Sequence, residues 1–134
     1  AGFKVTQDVR EYNQIESEAL AGKFDAVLVS RSTVQDSGDA VAYMTTDFSS
    51  SGSYSMSGLS DAKVDAAISK AAAIDPGEDR RKAIMAAEQV ILVTGAAIPI
   101  VHERVLQGEA AGVSGAERDP NERALITSAT TVKK

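Results

Sequence analysis

At 134 residues the chain holds one domain's worth of material, enough for a modest core. Hydrophobic residues make up 43% but aromatics only 4%, so that core has to be built mainly from Ala, Val, Ile and Leu. A net charge of −5 argues against a nucleic-acid partner, whose affinity comes from clustered Lys and Arg. The absence of cysteine excludes disulfides and thiolate metal sites. No apolar run approaches the ~20 residues of a membrane span.

Phe3, Val5 and Val9 alternate with Lys4, Thr6, Asp8 and Arg10, the pattern of a strand with one polar face. Tyr12, Ile15 and Ala19 follow at helical spacing, and Gly22 ends that helix. Residues 25–30 are a continuous apolar run of the kind that suits an interior parallel strand. Residues 3–30 therefore read as a β-α-β unit, with the right-handed crossover such units adopt. After a polar loop over 31–38, Val41, Met44 and Phe48 mark a short helix over about residues 39–48, capped by Asp36 or Ser37. Residues 49–53 are a serine-rich turn.

Two helices come next, separated by Asp75, Pro76 and Gly77. Ser60 can cap the first, whose stripe is Val64, Ala67, Ile68 and Ala71, and Pro76 stops it near Ile74. Pro76 also suits the first position of the second helix, with Asp75 as cap and Glu78 three residues on. Ile84, Ala87 and Ile91 are its buried face, and Gly95 is a natural left-handed stop. Arg80, Arg81 and Lys82 form the one basic run, a solvated helix face by its charge pattern. Residues 97–102 read as a strand, with Pro99 assigning it to an edge or a bulge. A hairpin or bent strand over 98–101 and 105–107, an irregular stretch over 108–121 and a last strand over 125–132 complete the expectation.

Several of these pieces, taken in order, resemble a known family. They are Tyr54-Ser55, then Ser60-Asp61-Ala62-Lys63-Val64-Asp65, then Arg80-Arg81-Lys82-Ala83 with Ala87-Glu88-Gln89-Val90-Ile91-Leu92, then Ala97-Ile98-Pro99-Ile100-Val101-His102. Their order and spacing resemble the carboxy-terminal lobe of the family 5 extracellular solute-binding proteins, which serve ABC importers of oligopeptides, dipeptides, nickel chelates and related solutes. Tyr12 followed by Leu20-Ala21-Gly22-Lys23-Phe24-Asp25 resembles the family's stretch before its central strand. The resemblance implies an α/β fold, a periplasmic-binding-protein-like lobe with a mixed sheet and helices packed on it. Residues 1–134 would then be a single domain, part of the carboxy-terminal lobe of a longer parent.

The resemblance also implies a function without bond chemistry: the substrate-binding component of an ABC importer, closing two lobes around a solute. The implied partners are a peptide or other small polar solute, the amino-terminal lobe and the permease, with no cofactor. The implied location is periplasmic or extracellular, with the parent held at the membrane as a lipoprotein.

Ligands of open α/β sheets bind beyond the carboxyl ends of strands. That rule singles out the loop after residue 30: Arg31, Ser32, Thr33, Gln35 and Asp36 offer a fixed cation, hydroxyls, an amide and a carboxylate. Arg31 has the planar fork that takes a carboxylate or phosphate by two parallel bonds. Peptide-binding members of the resembled family carry a Trp and then an Asp for the peptide's amino terminus in this loop. Here Arg31 and Val34 stand at those positions, so an acidic or polar solute fits better than a standard peptide terminus. Tyr54, on the family's Tyr-Ser turn, joins the candidate ligand-binding set.

The one histidine, His102, is the catalytic candidate; the sequence has no Gly-x-Ser-x-Gly elbow and no phosphate-cradling glycine loop. A small hydrolase using His102 and a protein-interaction domain docking through Arg80, Arg81, Lys82 and Glu88 are the alternatives. No metal-ligand spacing is present, and Asp36 and Asp39 read as caps beside a helix start.

Overall fold

The computed structural model describes residues 2–31, 38–102, 106, 108–118 and 124–133. The elements in chain order are α1 (Tyr12–Leu20), α2 (Ala40–Phe48), α3 (Ala62–Ala72), α4 (Glu78–Val93), β1 (Val113–Ser114), β2 (Glu117–Arg118), β3 (Ala124–Leu125) and β4 (Thr131–Val132).

The helix boundaries follow from side chains that satisfy free backbone groups. Asp39 caps α2, accepting from the Val41 amide at 2.9 Å. The expected caps Asp36 and Ser37 lie outside the described residues. Asp61, not Ser60, caps α3, because its carboxylate reaches the amides of both Lys63 and Val64. Gly77 rather than Pro76 opens α4. Its φ of 156° lies in a region that favours glycine, and Glu78 and Asp79 then complement the helix dipole in the first turn. Gly22 stops α1 with φ 69°: its amide donates to Ala19 and that of Lys23 to Glu18, the paired bonds of a Schellman end. Gly95, at φ 75°, ends α4 with its amide donating to the Leu92 carbonyl, while the Ala96 amide donates to the Thr94 hydroxyl.

The core lies between α2, α3 and α4. Val41 and Met44 pack against Val64, Ile68 and Ala71, and against Ala87 and Ile91; Tyr43, Phe48, Leu59, Ala67, Ala83, Ile84 and Val90 surround them. Arg80 ties the three helices together. Its Nη1 donates to the carbonyls of Ala71, Ala72 and Ile74 at the end of α3, and its Nη2 pairs with Asp39 at the start of α2 at 2.6 Å. The sequence assigned Arg80 to a solvated face. Only its neighbours keep that role, Arg81 pairing with Glu78 and Lys82 with Asp79 on the exposed side.

The expected α/β lobe with a mixed sheet does not form. Among the described residues the chain is mostly helical, and its strands pair only two by two, β1 with β4 and β2 with β3, both antiparallel. Val113 faces Val132 and Glu117 faces Leu125, with residues 126–130 on the returning arm opposite only 115 and 116. Thr127 to Thr130 closes a turn there, and Gly115, at φ 76°, leaves no room for a Cβ beside the Ala129 carbonyl.

Residues 3–9, 25–30 and 97–102 carry neither helix nor ladder. The β-α-β unit therefore keeps its helix but not its strands, and α3 and α4 lie against α2 and each other instead of a sheet. The physical reason is that a helix makes its backbone bonds within itself, while a strand needs a neighbour. Val105 and Gln107, expected in a hairpin with 98–101, lie outside the described residues. No helix among the described residues is long and apolar enough to cross a membrane.

Candidate functional site

Two of the six sequence-derived site residues, Arg31 and Tyr54, meet at the edge of the helical core. The guanidinium carbon of Arg31 stands 4.3 Å from the centre of the Tyr54 ring and 5.9 Å from that of Tyr43. Its Nε and Nη2 donate to the two carboxylate oxygens of Asp47, both at 2.8 Å. The Tyr12 hydroxyl bonds to the Tyr54 hydroxyl. All three tyrosines of the chain thus converge on one arginine neighbourhood. The remaining expected residues of the loop, Ser32, Thr33, Gln35 and Asp36, lie outside the described residues.

The side chains are positioned by α1, by α2 and by the turn that follows α2. Tyr43 and Asp47 are one helical turn apart on α2, so they share a face. Tyr43 also packs edge-on against Phe48, with ring centres 5.6 Å apart. Tyr54 is held by its amide, which donates to the Thr46 carbonyl in the same helix. Gly52 permits this close return, because a Cβ there would collide with the carbonyls of Thr45 and Thr46. Tyr12 comes from the first turn of α1. Beside Tyr54, the Ser55 hydroxyl oxygen is buried and has no hydrogen-bond partner among the described residues.

The electrostatics follow from the pairing. Asp47 holds the Arg31 guanidinium above its ordinary pKa by accepting its hydrogen bonds, against the opposing effect of partial burial. Burial pushes the Tyr43 phenol up, the Asp47 charge adds to this, and the Arg31 charge opposes it. The cation expected at Arg31 to receive a ligand is instead half of an internal ion pair, with its Nε–Nη2 edge committed to Asp47.

Asp47 and Tyr43 were missed as site residues, although one signal for Asp47 was present. It falls three residues after Met44 and one before Phe48, on the apolar face of α2, and a carboxylate on such a face requires a partner. Nothing in the spacing identified Arg31 as that partner.

Away from these residues, an open groove of about 380 Å³ lies between α2 and α3, its lining including Thr45, Ser49, Asp65, Ile68, Ser69 and Ala72. Two of its hydroxyls are engaged locally: Thr45 donates to the Val41 carbonyl and Ser49 to that of Thr45. His102 is exposed on a segment outside any helix or ladder. No group of three or more potential metal ligands occurs among the described residues. Comparison with family models, with curated proteins and with solved structures finds no match to the chain.

Proposed function

We propose that the chain is part of the substrate-binding component of an ABC importer and supplies one side of a solute cleft around Arg31 and Tyr54. The observation that carries this reading is the meeting of those two residues. They are 23 positions apart in the sequence and stack at one edge of the helical core. Recognition would be non-covalent: the tyrosines provide flat, amphipathic walls and the Arg31–Asp47 pair fixes their spacing. No bond is made or broken. The solute is a peptide or other small polar molecule, and the setting is periplasmic or extracellular.

The exposed apolar segments support the same reading. Phe3, Val5, Leu28, Ile98, Ile100 and Val101 are all more than two-thirds exposed. Apolar side chains this exposed fit a chain that meets further polypeptide. The cleft would then have its other side outside residues 1–134, and the permease would recognise the closed form.

Calorimetry tests the reading directly. The chain alone is expected to give no binding heat with mixed dipeptides and oligopeptides. The same residues within the full coding sequence of the parent gene are expected to bind a member of that set, and Tyr54→Ala is expected to weaken that binding at least about tenfold, the loss of an aromatic wall. Tight peptide binding by the chain alone, or a parent whose solute affinity is unchanged by Tyr54→Ala, would overturn it.

A further inference from the structure

We propose that Arg31 is a clamp: it holds a first unit, residues 8–31 with α1, against the α2–α4 core, and the two part as separate bodies when it lets go. The inference goes beyond the solute-binding reading and needs no solute.

The first unit is knitted within itself around Arg10. The Arg10 guanidinium donates to Asp8 and to Glu18 on α1, and its carbon stands 5.9 Å from the centre of the Phe24 ring. The paired bonds at Gly22 close α1 locally. Ala19 is buried, yet it is not part of the cluster that α2, α3 and α4 share. No other helix or strand comes up against α1 among the described residues, whereas α2, α3 and α4 all pack on one another. A boundary in packing therefore runs between α1 and the trio. At 9 residues, α1 is also shorter than the about 12–15 residues at which an isolated helix is marginal in water, so it loosens once its surroundings do.

Arg31 spans that boundary. It belongs to the first unit, and both of its bonds to Asp47 end on α2. Its guanidinium also stacks 4.3 Å from the Tyr54 ring, and Tyr54 is itself bonded to Thr46 of α2. Asp47 foremost, by accepting its hydrogen bonds, and Glu16 on α1 as well, by its charge, hold this guanidinium above its ordinary pKa. The Asp47 side chain is only 10% exposed, so a carboxylate left there without Arg31 is a desolvated charge without its partner, a penalty that favours the closed clamp. The Tyr12 hydroxyl meets that of Tyr54 across the same boundary. Opening therefore separates Tyr12 from Tyr54 and takes Arg31 away from the rings of Tyr43 and Tyr54.

Native-state hydrogen exchange in low urea reads the two bodies apart. In the wild type the α1 amides are expected to exchange at least about tenfold faster than those of α3 and α4, through an opening that depends little on urea because it exposes little surface. Asp47→Asn is expected to speed α1 exchange at least about tenfold further, the loss of a charge-assisted pair, with smaller changes in α3 and α4. Arg31→Lys keeps a positive charge beside Asp47 but loses the fork and the ring stacking; it is expected to act in the same direction, and it serves if Asp47→Asn does not fold. The chain has three tyrosines, all at the clamp, and no tryptophan. Near-ultraviolet circular dichroism is therefore expected to weaken in either variant while the far-ultraviolet helix signal is largely kept.

Wild-type α1 amides with the same rates and urea dependence as α3 and α4 would overturn the proposal, because the two would then be one body. So would a folded variant whose α1 exchange is unchanged, or one in which α3 and α4 speed up as much as α1. These measurements use no solute, so a parent that binds no peptide removes the transport reading and leaves the clamp standing.

Discussion

Ile68 and Ile98 are the same side chain with opposite fates: the first is 3% exposed and the second 81%. Ile68 sits on α3, whose backbone bonds are internal and which needs only one apolar neighbour face; α2 and α4 provide it. Ile98 sits in an apolar segment whose backbone bonds as a strand would have to come from another strand, and none of the described residues supplies one. Burial here therefore follows from how each backbone satisfies itself. Strong apolar character placed Ile68 inside because its helix needs no backbone partner, and the same character left Ile98 outside.

That contrast is easiest to break at its two ends. Ile68→Ala is expected to cost about 2–5 kcal/mol of stability, the range for removing a fully packed aliphatic side chain. Ile98→Ala is expected to change stability by less than about 0.5 kcal/mol, as for surface substitutions away from special features. Urea denaturation followed by circular dichroism measures both. Equal losses at the two positions would mean that residues 97–101 are covered after all.

The next largest effect is expected at Arg80, which decides whether the helical trio acts as one unit. Its Nη1 serves three carbonyls at the end of α3, and its Nη2 joins Asp39 at 2.6 Å. The side chain is only 16% exposed, so these bonds are little weakened by solvent. Arg80→Ala is expected to cost about 1.5–3 kcal/mol, the range for hydrogen bonds to a charged group. Arg80→Lys should recover only part of this, because an ammonium cannot reach both helices with a planar fork. Hydrogen exchange at residues 71–74 gives the local readout. Unchanged protection there in Arg80→Ala would refute the tie.

These cases also show what the sequence could and could not reveal. The four helices were legible because helical periodicity is a local property, and Val64, Ile68, Ala71, Ala87 and Ile91 were all assigned to the face that became the core. The stops at Gly22 and Gly95 were legible for the same reason. The sheet was not legible. Residues 3–9, 25–30 and 97–102 have the side-chain pattern of strands, but pairing is a property of two segments, and periodicity within one says nothing about the other. The site was half legible. Arg31 was singled out as the loop residue after a strand over 25–30 that does not form, and Tyr54 came from the resembled Tyr-Ser turn. The pairing with Asp47 spans 16 residues and reverses the expected role of the cation. A long-range ion pair of this kind leaves only an indirect trace, a carboxylate on an otherwise apolar helix face.

A smaller effect sharpens the comparison at a helix start. Asp61→Ala removes the acceptor for the amides of Lys63 and Val64 and is expected to cost about 1 kcal/mol. Ser60→Ala, one residue earlier, is expected to cost much less, because Ser60 only donates to the Ser50 hydroxyl at the surface. Thermal denaturation of the two variants side by side checks the assignment, and a larger loss at Ser60 would return the cap to the position the sequence first suggested.

The smallest effect concerns the serine turn, which lies between the helical core and the candidate site. Asp65 on α3 accepts the Ser50 amide at 2.8 Å, and its hydrogen bonds to Ser50 hold the carboxyl below its ordinary value. A depressed carboxyl contributes its share of stability at and above the ordinary carboxylate range and loses it as the pH falls through the lower, folded value. Because Asp65 is solvent-exposed, global stability should barely register this. The Ser50 amide shift should register it clearly, titrating with a midpoint below the ordinary carboxylate range and becoming flat in Asp65→Asn. A midpoint at or above that range would mean that the turn is not clipped to α3. Tyr54, which follows this turn, would then keep its place beside Arg31 through its amide bond to the Thr46 carbonyl and its hydroxyl contact with Tyr12.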